Sequence, residues 1–280
     1  MKDTGFAGQS VVSFESRRAT EMASLIQRHG GVPVSAPTMR EIAITENPEA
    51  LTFARALRDG AFDTVILMTG VGTRALLEEI ASELDRAAFT AALARTPLVV
   101  ARGPKPATVL RELGVTGFVT VPAPNTWREV VAAIEERRPL AGQRIVVQEH
   151  GAPSHELYAR LREGGAEVSA VQVYRWALPE DTTPLRRALH AIADGAVSIA
   201  LFTSRAQVDH AFAIAAEEHI DAAVRDRLRR GVIASIGPVC SEALRAEGLE
   251  PDFEPEHAKM GHLVKTAAER AAGILATKAS

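Results

Sequence analysis

The sequence is poor in cysteine. Cys240 is the single cysteine among 280 residues, so the chain can form neither an internal disulfide nor a cysteine-based zinc site. The eight histidines are scattered and form no HExxH motif, and no GxxxxGK[ST] loop is present. The sequence therefore predicts no metal site, and it does not indicate a nucleoside triphosphate as the substrate.

An excess of charge of one sign is also missing. The chain carries 32 Lys and Arg against 35 Asp and Glu, and no basic tail or stripe suggests nucleic acid as a partner. No apolar run approaches the ~18 residues that span a bilayer, and the polar start of the chain does not resemble a signal peptide. We therefore expect a cytoplasmic protein with no nucleic-acid or membrane partner.

What the sequence does have is a regular alternation of strand-like and helix-like segments. Apolar runs predict strands at 10–14, 64–69, 97–102, 118–122, 144–148, 168–173, 199–204, 232–237 and, more briefly, 252–254. Periodic segments predict helices at about 19–29, 50–58, 72–84, 105–113, 126–137, 154–163, 183–193, 206–218, 221–230, 239–247 and 260–275. This order is typical of an α/β fold with parallel sheets and helices on both faces.

Two extended stretches run on past their strands without a turn residue, at 32–49 and 167–180. We interpret them as connectors, at about 36–46 and 170–180, in which the chain crosses twice between two domains. The predicted first lobe is then discontinuous, comprising 1–40 and 178–280, and 44–172 is a second lobe inserted into it.

One constant shift of 134 positions relates the two halves of the chain. It carries Gly103-Pro104 onto Gly237-Pro238 and Gly30-Gly31 onto Gly164-Gly165, and it carries Arg40 onto Tyr174. So many matches at one shift predict an internal duplication that gives two similar lobes.

The turns between strands and helices are rich in Gly, Ser, Thr and Pro. Such turns cap helices and offer backbone N–H groups to anions, although many α/β turns look this way without binding anything. Several of them carry an arginine, which suits bidentate binding of carboxylates. These arginines are Arg17, Arg18, Arg74, Arg102 and Arg205. We interpret the turns together as a cleft for an extended polyanion.

Three further motifs resemble known functional sites, but each gives only weak evidence of function. The GxGxxA turn at 70–75 resembles a dinucleotide fingerprint, but Arg102 stands where an acidic residue would hold the ribose, so NADP stays open as a ligand and NAD does not fit. Ser204, Asp209 and His210 lie close in sequence without the GxSxG elbow of a hydrolase. Cys240 is interpreted as a packed side chain, and a nucleophilic role is the alternative.

Tyr174 is the candidate catalytic residue. A phenol at a connector beside a cleft can donate a proton to a leaving oxygen without carrying a charge itself. The alternative is an aromatic side chain that lines the hinge together with Trp176. The residue pattern by itself favours neither.

Three motifs resemble the uroporphyrinogen-III synthase family. They are Thr203-Ser204 before a helix, Ile236-Gly237-Pro238 before a helix that contains Ala243 and Leu244 and ends at Gly248, and Val173-Tyr174-Arg175 on the connector. The resemblance extends over nearly the whole chain. It implies two flavodoxin-like lobes joined by a two-stranded connector, and a monomeric lyase that cyclises hydroxymethylbilane, a linear tetrapyrrole polycarboxylate, with loss of water and inversion of ring D.

The resemblance also implies a site that uses no cofactor or metal. Tyr174 corresponds to the family's tyrosine, which is thought to assist departure of the hydroxyl group. The residues expected to bind substrate are Arg17, Arg18, Thr69, Gly70, Arg102, Gly103, Thr203, Ser204, Arg205, Gly237 and Pro238.

The sequence departs from the family pattern at some turns. Arg205 follows Thr203-Ser204 directly, the matching turn in the first half is Thr69-Gly70, and Arg102 replaces a small residue. This variant pattern is similar to synthase-like proteins that in some bacteria carry a DNA-binding domain, which the present chain is expected to lack. An inactive module that binds a tetrapyrrole or another anion is therefore the alternative hypothesis.

Overall fold

The computed structural model describes residues 5–44, 47–149, 151 and 153–279. These residues form eleven strands and twelve helices, and none of the helices in this part of the chain is both long and apolar enough to cross a membrane. In chain order the elements are β1 (Ser10–Ser13), α1 (Ala19–Arg28), β2 (Val32–Ser35), β3 (Arg40–Ala43), α2 (Pro48–Arg58), β4 (Thr64–Leu67), α3 (Gly70–Glu79), α4 (Arg86–Arg95), β5 (Leu98–Ala101), α5 (Pro104–Glu112), β6 (Val119–Thr120), α6 (Trp127–Glu135), β7 (Arg144–Gln148), α7 (His155–Glu163), β8 (Glu167–Val171), β9 (Tyr174–Ala177), α8 (Thr183–Ala193), β10 (Ile199–Phe202), α9 (Arg205–Glu217), α10 (Asp221–Arg230), β11 (Val232–Ser235), α11 (Pro238–Ala246) and α12 (Met260–Lys278).

The elements divide into two compact units. The first unit comprises Met1–Arg40 and Ala177–Ser280, and the second comprises Glu41–Trp176. The sheet of the first unit has the order β11-β10-β1-β2, and that of the second has the order β6-β5-β4-β7-β8. All neighbouring strands in both sheets are parallel. The chain crosses between the units in β3 and β9, which pair with each other as a two-stranded sheet.

Helices cover both faces of each sheet. In the second unit, α2 to α5 pack on one face and α6 and α7 on the other. In the first unit, α8 to α11 pack on one face, and α1 and α12 pack on the other. The central strands β4 and β10 are buried along their whole length, as expected of the nearly continuous apolar sequences of strands in parallel sheets. The predicted α/β fold is confirmed.

The duplication is visible in the backbone. A shift of 134 carries the bounds of β3 onto those of β9 and the bounds of α5 onto those of α11. It also carries the pairing of Val100 with Val119 onto the isolated bridge between Ala234 and Phe253. Each unit therefore combines an early part of one repeat with the late part of the other.

The spatial order of the strands indicates where ligands are expected to bind. In chain order, the first unit's strands and the Phe253 bridge have the spatial order 2-1-3-4-5, which is the flavodoxin-like arrangement. The second unit has the same arrangement with its chain joined differently. In such sheets ligands bind outside the carboxyl ends of the strands at the topological switch point. That point lies between β1 and β10 in the first unit and between β7 and β4 in the second.

Two predicted elements were wrong in detail. The helix predicted at 72–84 ends at Glu79, and a separate helix that the sequence analysis did not predict, α4, follows it. The Asp85 side chain accepts a hydrogen bond from the Ala88 N–H and so begins α4. The strand predicted at 252–254 is a single bridge at Phe253.

Candidate functional site

Thr69 lies at the switch point of the second unit. Its Oγ1 accepts the N–H of Gly72 (3.0 Å), which caps α3, and lies 3.2 Å from the hydroxyl oxygen of Tyr174. Its own N–H donates to Oε1 of Gln148 (3.4 Å), the last residue of β7. Either hydroxyl can donate in the contact between Thr69 and Tyr174. The phenol is therefore held at the strand ends by a partner that tolerates either direction of donation.

Tyr174 is buried at this position by packing. It is the first residue of β9, its side chain is 5% exposed, and it belongs to the core formed by β4, β5 and the helices on that face. Trp176, two residues further on, packs against Gly151, where a Cβ atom would lie 2.6 Å from the indole ring. These packing contacts agree with the aromatic-lining alternative, while the contact with Thr69 places the Tyr174 hydroxyl at the strand ends.

Arg102 follows β5, the neighbour of β4. Its N–H donates to the carbonyl of Leu67 (3.0 Å), which places its backbone beside the end of β4. Among the described residues, the partly buried guanidinium makes no hydrogen bond and no ion pair. Burial lowers the pKa of Arg102, and the charge of an ionised Tyr174 would raise it. A guanidinium in this setting is suited to an anionic partner.

The start of α5 has few backbone donors beside Arg102. Gly103 caps the helix in an extended conformation, and a Cβ atom there would lie 3.1 Å from Cγ of Asn125. Pro104 and Pro106 occupy two of the first three helical positions, and proline has no N–H. An anion at this end of the sheet therefore depends on the side chain of Arg102 more than it would at an ordinary helix start.

A buried acid lies next to Gln148. Glu149 is 5% exposed and accepts a hydrogen bond of 2.5 Å from the Tyr158 hydroxyl. Burial raises the pKa of Glu149, and the bond from Tyr158 opposes this shift. The Tyr158 hydroxyl has its own pKa raised, first by burial and then by Glu149. The carboxyl is thus committed to a partner within the second unit.

The first unit surrounds its switch point with other side chains. Thr203 Oγ1 donates to Glu15 Oε2 (2.8 Å) and accepts from Gln207 Nε2 (2.7 Å). Ser204 caps α9 by accepting the N–H of Gln207 (3.3 Å). Gln207 is fully buried, and its Oε1 accepts the Thr203 N–H (2.7 Å). This network joins the ends of β1 and β10.

The remaining predicted residues of the first unit lie in the same strand-end turns. Arg17 is exposed after β1, and Arg18 precedes α1 and forms an ion pair with Glu21. Arg205 begins α9, and Gly237 and Pro238 begin α11. The predicted residues thus gather at the carboxyl ends of two sheets, with Thr69, Gly70, Arg102, Gly103 and Tyr174 in the second unit and the other seven in the first.

The weaker motifs have structural explanations. In the GxGxxA turn, a Cβ atom at Gly72 would overlap the Gln148 amide, so packing within the protein accounts for this glycine. His210 hydrogen-bonds the carbonyl of Thr38 (2.8 Å), while Ser204 caps its helix, so the two do not form a hydrolase pair. Cys240 is 2% exposed, and burial raises the pKa of its thiol to about 11. A thiol in this state is inert, as its packed interpretation predicted.

The acids and amides at the two switch points are candidate functional-site residues that the sequence patterns did not predict. The hydrogen bonds around the switch points are made by Glu15, Gln148, Glu149 and Gln207, and none of these residues was predicted to belong to the site. A signal existed, because the 134-residue shift relates Glu15 to Glu149 and both follow a central strand.

Comparison with known proteins identifies the family. Residues 20–265 match the family model described as uroporphyrinogen-III synthase HemD. The chain belongs to the uroporphyrinogen-III synthase family. The resemblance seen in the sequence motifs is therefore confirmed over most of the chain.

Similar proteins agree with this family. A putative uroporphyrinogen-III synthase of Methanothermobacter thermautotrophicus is 28% identical over 233 residues, covering 83% of this chain and 87% of the relative. The uncharacterized protein YjjA of Bacillus subtilis is 29% identical over 264 residues, covering 93% and 95%. A mutant uroporphyrinogen III synthase of Thermus thermophilus has a TM-score of 0.74 and 27% identity, covering 95% of this chain and 99% of that structure.

Family and fold together indicate a function like that of uroporphyrinogen-III synthase, in porphyrin and haem biosynthesis. They support a lyase-type enzyme that binds a tetrapyrrole.

Proposed function

We propose that this protein is an active uroporphyrinogen-III synthase, which closes linear hydroxymethylbilane into uroporphyrinogen III with loss of one water and inversion of ring D. The observation that carries the proposal is the Tyr174 hydroxyl, 3.2 Å from Thr69 at the switch point of the second unit. Family membership supplies the reaction, and this phenol supplies an acid at the place where the fold binds ligands.

The chemistry requires a proton donor. A hydroxyl group leaves poorly as hydroxide, so Tyr174 gives its proton to that oxygen while the carbon–oxygen bond breaks and water departs. A new carbon–carbon bond then forms at the substituted α-carbon of ring D. The bond from that carbon to its original bridging carbon breaks and re-forms at the other α-carbon of ring D, which inverts the ring, and the proton lost from this second carbon restores the phenol. No electrons are gained or lost overall, so the reaction calls for no redox cofactor.

Binding is assigned to the strand-end turns. The eight carboxylates of the substrate suit arginine side chains and helix starts. In the second unit we assign Thr69, Gly70, Arg102 and Gly103 to binding. In the first unit the assigned residues are Arg17, Arg18, Thr203, Ser204, Arg205, Gly237 and Pro238. We also propose that the protein works as a cytoplasmic monomer, for which light scattering should give the mass of a single chain.

The test is a coupled assay in which hydroxymethylbilane is generated in place and the oxidised uroporphyrin isomers are separated. The wild-type protein should give type III product, and Tyr174→Phe should lower the rate by about 100-fold or more because general acid catalysis is lost. Tyr158→Phe is the matched control, since it removes the chain's other tyrosine and leaves Tyr174 in place.

Two outcomes would contradict the proposal. Equal rates for the wild-type protein and Tyr174→Phe would remove the phenol from the mechanism. Tight binding of hydroxymethylbilane with type I product alone, the isomer that forms without enzyme, would identify a tetrapyrrole-binding regulatory protein instead.

A further inference from the structure

Arg102 and Tyr174 occupy neighbouring strand ends of the second unit. Arg102 follows β5 and donates its N–H to Leu67, and Thr69, two residues beyond Leu67, contacts the Tyr174 hydroxyl. Both side chains therefore belong to the same edge of one sheet. The two groups also interact electrostatically. Burial lowers the pKa of Arg102, and the negative charge of an ionised Tyr174 would raise it.

Arg102 differs from other arginines of this unit in its pairing. Arg74 pairs with Glu112 at 2.5 Å, and Arg160 pairs with Glu135 at 2.5 Å. Within the described residues, no carboxylate neutralises the guanidinium of Arg102, although it is partly withdrawn from water. Because no carboxylate neutralises it, such a cation interacts strongly with a nearby group that becomes negative.

The other charged groups described around this edge are carboxylates, which are negative, and an exposed lysine. Glu149 accepts from Tyr158, and Glu79 accepts the Asn47 N–H (3.1 Å). Glu49 interacts with Glu149, and Lys105 is exposed on the first turn of α5. The carboxylates would oppose a negative charge on Tyr174. Among the described residues, Arg102 is thus a cation at these strand ends whose charge is coupled to this phenol.

We infer that Arg102 is a positioning residue that stabilises the Tyr174 phenolate formed when the phenol gives up its proton. In the proposed reaction, on which this role rests, the proton moves from the Tyr174 oxygen to the departing hydroxyl, and water leaves. The positive charge of Arg102 then stabilises the phenolate until a proton from the closing ring returns to it. Arg102 therefore acts on the reaction through Tyr174, in addition to its proposed part in binding the substrate.

The pairing itself can be tested without substrate. The chain has two tyrosines, and the hydroxyl of Tyr158 has its pKa raised by burial and by Glu149. An ultraviolet titration at the tyrosinate absorbance therefore reports Tyr174, which Tyr174→Phe must verify by removing the transition. In Arg102→Gln the pKa of Tyr174 should rise by about one unit or more, because an opposite charge nearby favours the ionised phenol.

Matched variants make the result specific. Arg102→Lys keeps the charge and should recover part of the shift. Arg111→Gln removes one positive charge from an exposed position on α5, over the Phe118 ring, and should leave the titration unchanged. Circular dichroism at each pH shows that the variants stay folded during the titration.

The inference is overturned if Tyr174 titrates alike in wild type and Arg102→Gln, or if it stays protonated in wild type up to the pH of alkaline unfolding. A carboxylate-binding role alone predicts a higher KM in Arg102→Gln with an unchanged titration. If the titration shifts but no type III product forms in the coupled assay, the pairing stands and the proposed synthase activity fails.

Discussion

Each unit has a threonine at the equivalent strand end of its own sheet, but the side chains that contact the two threonines differ. Thr69 meets a phenol and the Gln148 amide, whereas Thr203 meets the carboxylate of Glu15 and the amide of Gln207. The duplication has therefore preserved the backbone and the hydroxyl group, while the partners have diverged.

The same divergence extends to the charged residues. The shift of 134 relates Arg102 to Ile236, so the first unit has an apolar side chain where the second has a cation. It also relates Tyr174 to Arg40, which forms an ion pair with Glu180. Both tyrosines of the chain lie in the second unit, as Arg102 does, so the first unit has no counterpart of this phenol and guanidinium. The comparison teaches that a duplicated frame can keep its strand-end backbone geometry while the side chains around it diverge between the two copies.

The largest effect is expected from exchanging two residues that the repeat relates, Gly70 as the first residue of α3 and Ser204 as the cap of α9. Gly70 corresponds to Ser204, and a Cβ atom at Gly70 would lie 2.9 Å from the carbonyl oxygen of Lys105. Because backbone must move, Gly70→Ser should lower the free energy of unfolding by about 3 kcal/mol. Denaturant unfolding followed by circular dichroism measures this.

The reverse exchange is the control. Ser204→Gly removes a cap and should cost well under about 1 kcal/mol, since glycine is tolerated at this position. Equal losses in the two variants would show that the two turns are interchangeable and would break the comparison.

A smaller effect is expected from Tyr158→Phe. Its counterpart in the first unit is Ser24, which is exposed and hydrogen-bonds within α1 (2.9 Å to Thr20). Removing the Tyr158 hydroxyl leaves Glu149 buried without this donor and should lower the free energy of unfolding by about 2 kcal/mol at neutral pH. Ser24→Ala should be nearly neutral.

The pH dependence of the same variant has a definite sign. Burial raises the pKa of Glu149 above its ordinary value of 4.5, so the folded state binds the proton more tightly than the unfolded state. The associated stability is complete below about pH 4.5 and is lost as the pH rises through the folded-state pKa. Tyr158→Phe removes an opposing influence and should extend this loss to higher pH, whereas Glu149→Gln should abolish it. A Tyr158→Phe protein with the wild-type pH profile would contradict this account.

The smallest effect is expected at Cys240, whose counterpart is Pro106. Its thiol is buried and its pKa is raised to about 11, so alkylating reagents should not react with the folded protein at neutral pH. Labelling followed by mass spectrometry should show one modified thiol in denaturant and none without it. Rapid labelling of the folded chain, with loss of activity, would revive the nucleophilic alternative.

Local patterns and the repeat were enough to predict most of the fold. The strand runs and the 134-residue shift predicted parallel sheets, and the glycine-proline turns marked the starts of α5 and α11. The helix α4 was not predicted because its Ala, Phe and Leu residues are distributed around the helix and form no clear apolar stripe.

The site was less predictable because its contacts join distant segments. Tyr174 could be selected from its place on a connector, but its partner Thr69 lies 105 residues away. The pairs of Glu15 with Thr203 and of Glu149 with Tyr158 depend on which strand ends meet, and sequence spacing does not encode that. The hydrogen bonds of these two acids follow from the strand order and not from their spacing in the sequence.

The exchange of segments between repeats sets an order of events during synthesis. All strands of the second unit's sheet lie within 64–171, so this sheet can close as soon as that stretch leaves the ribosome. In the first unit, β1 pairs with β10 in the register Val11 to Ile199, so β1, α1 and β2 must wait for about 160 more residues. At about 5–20 residues per second, this wait is roughly 10 to 30 s. The amino-terminal strands are therefore the part of the chain whose folding depends most on the rate of translation.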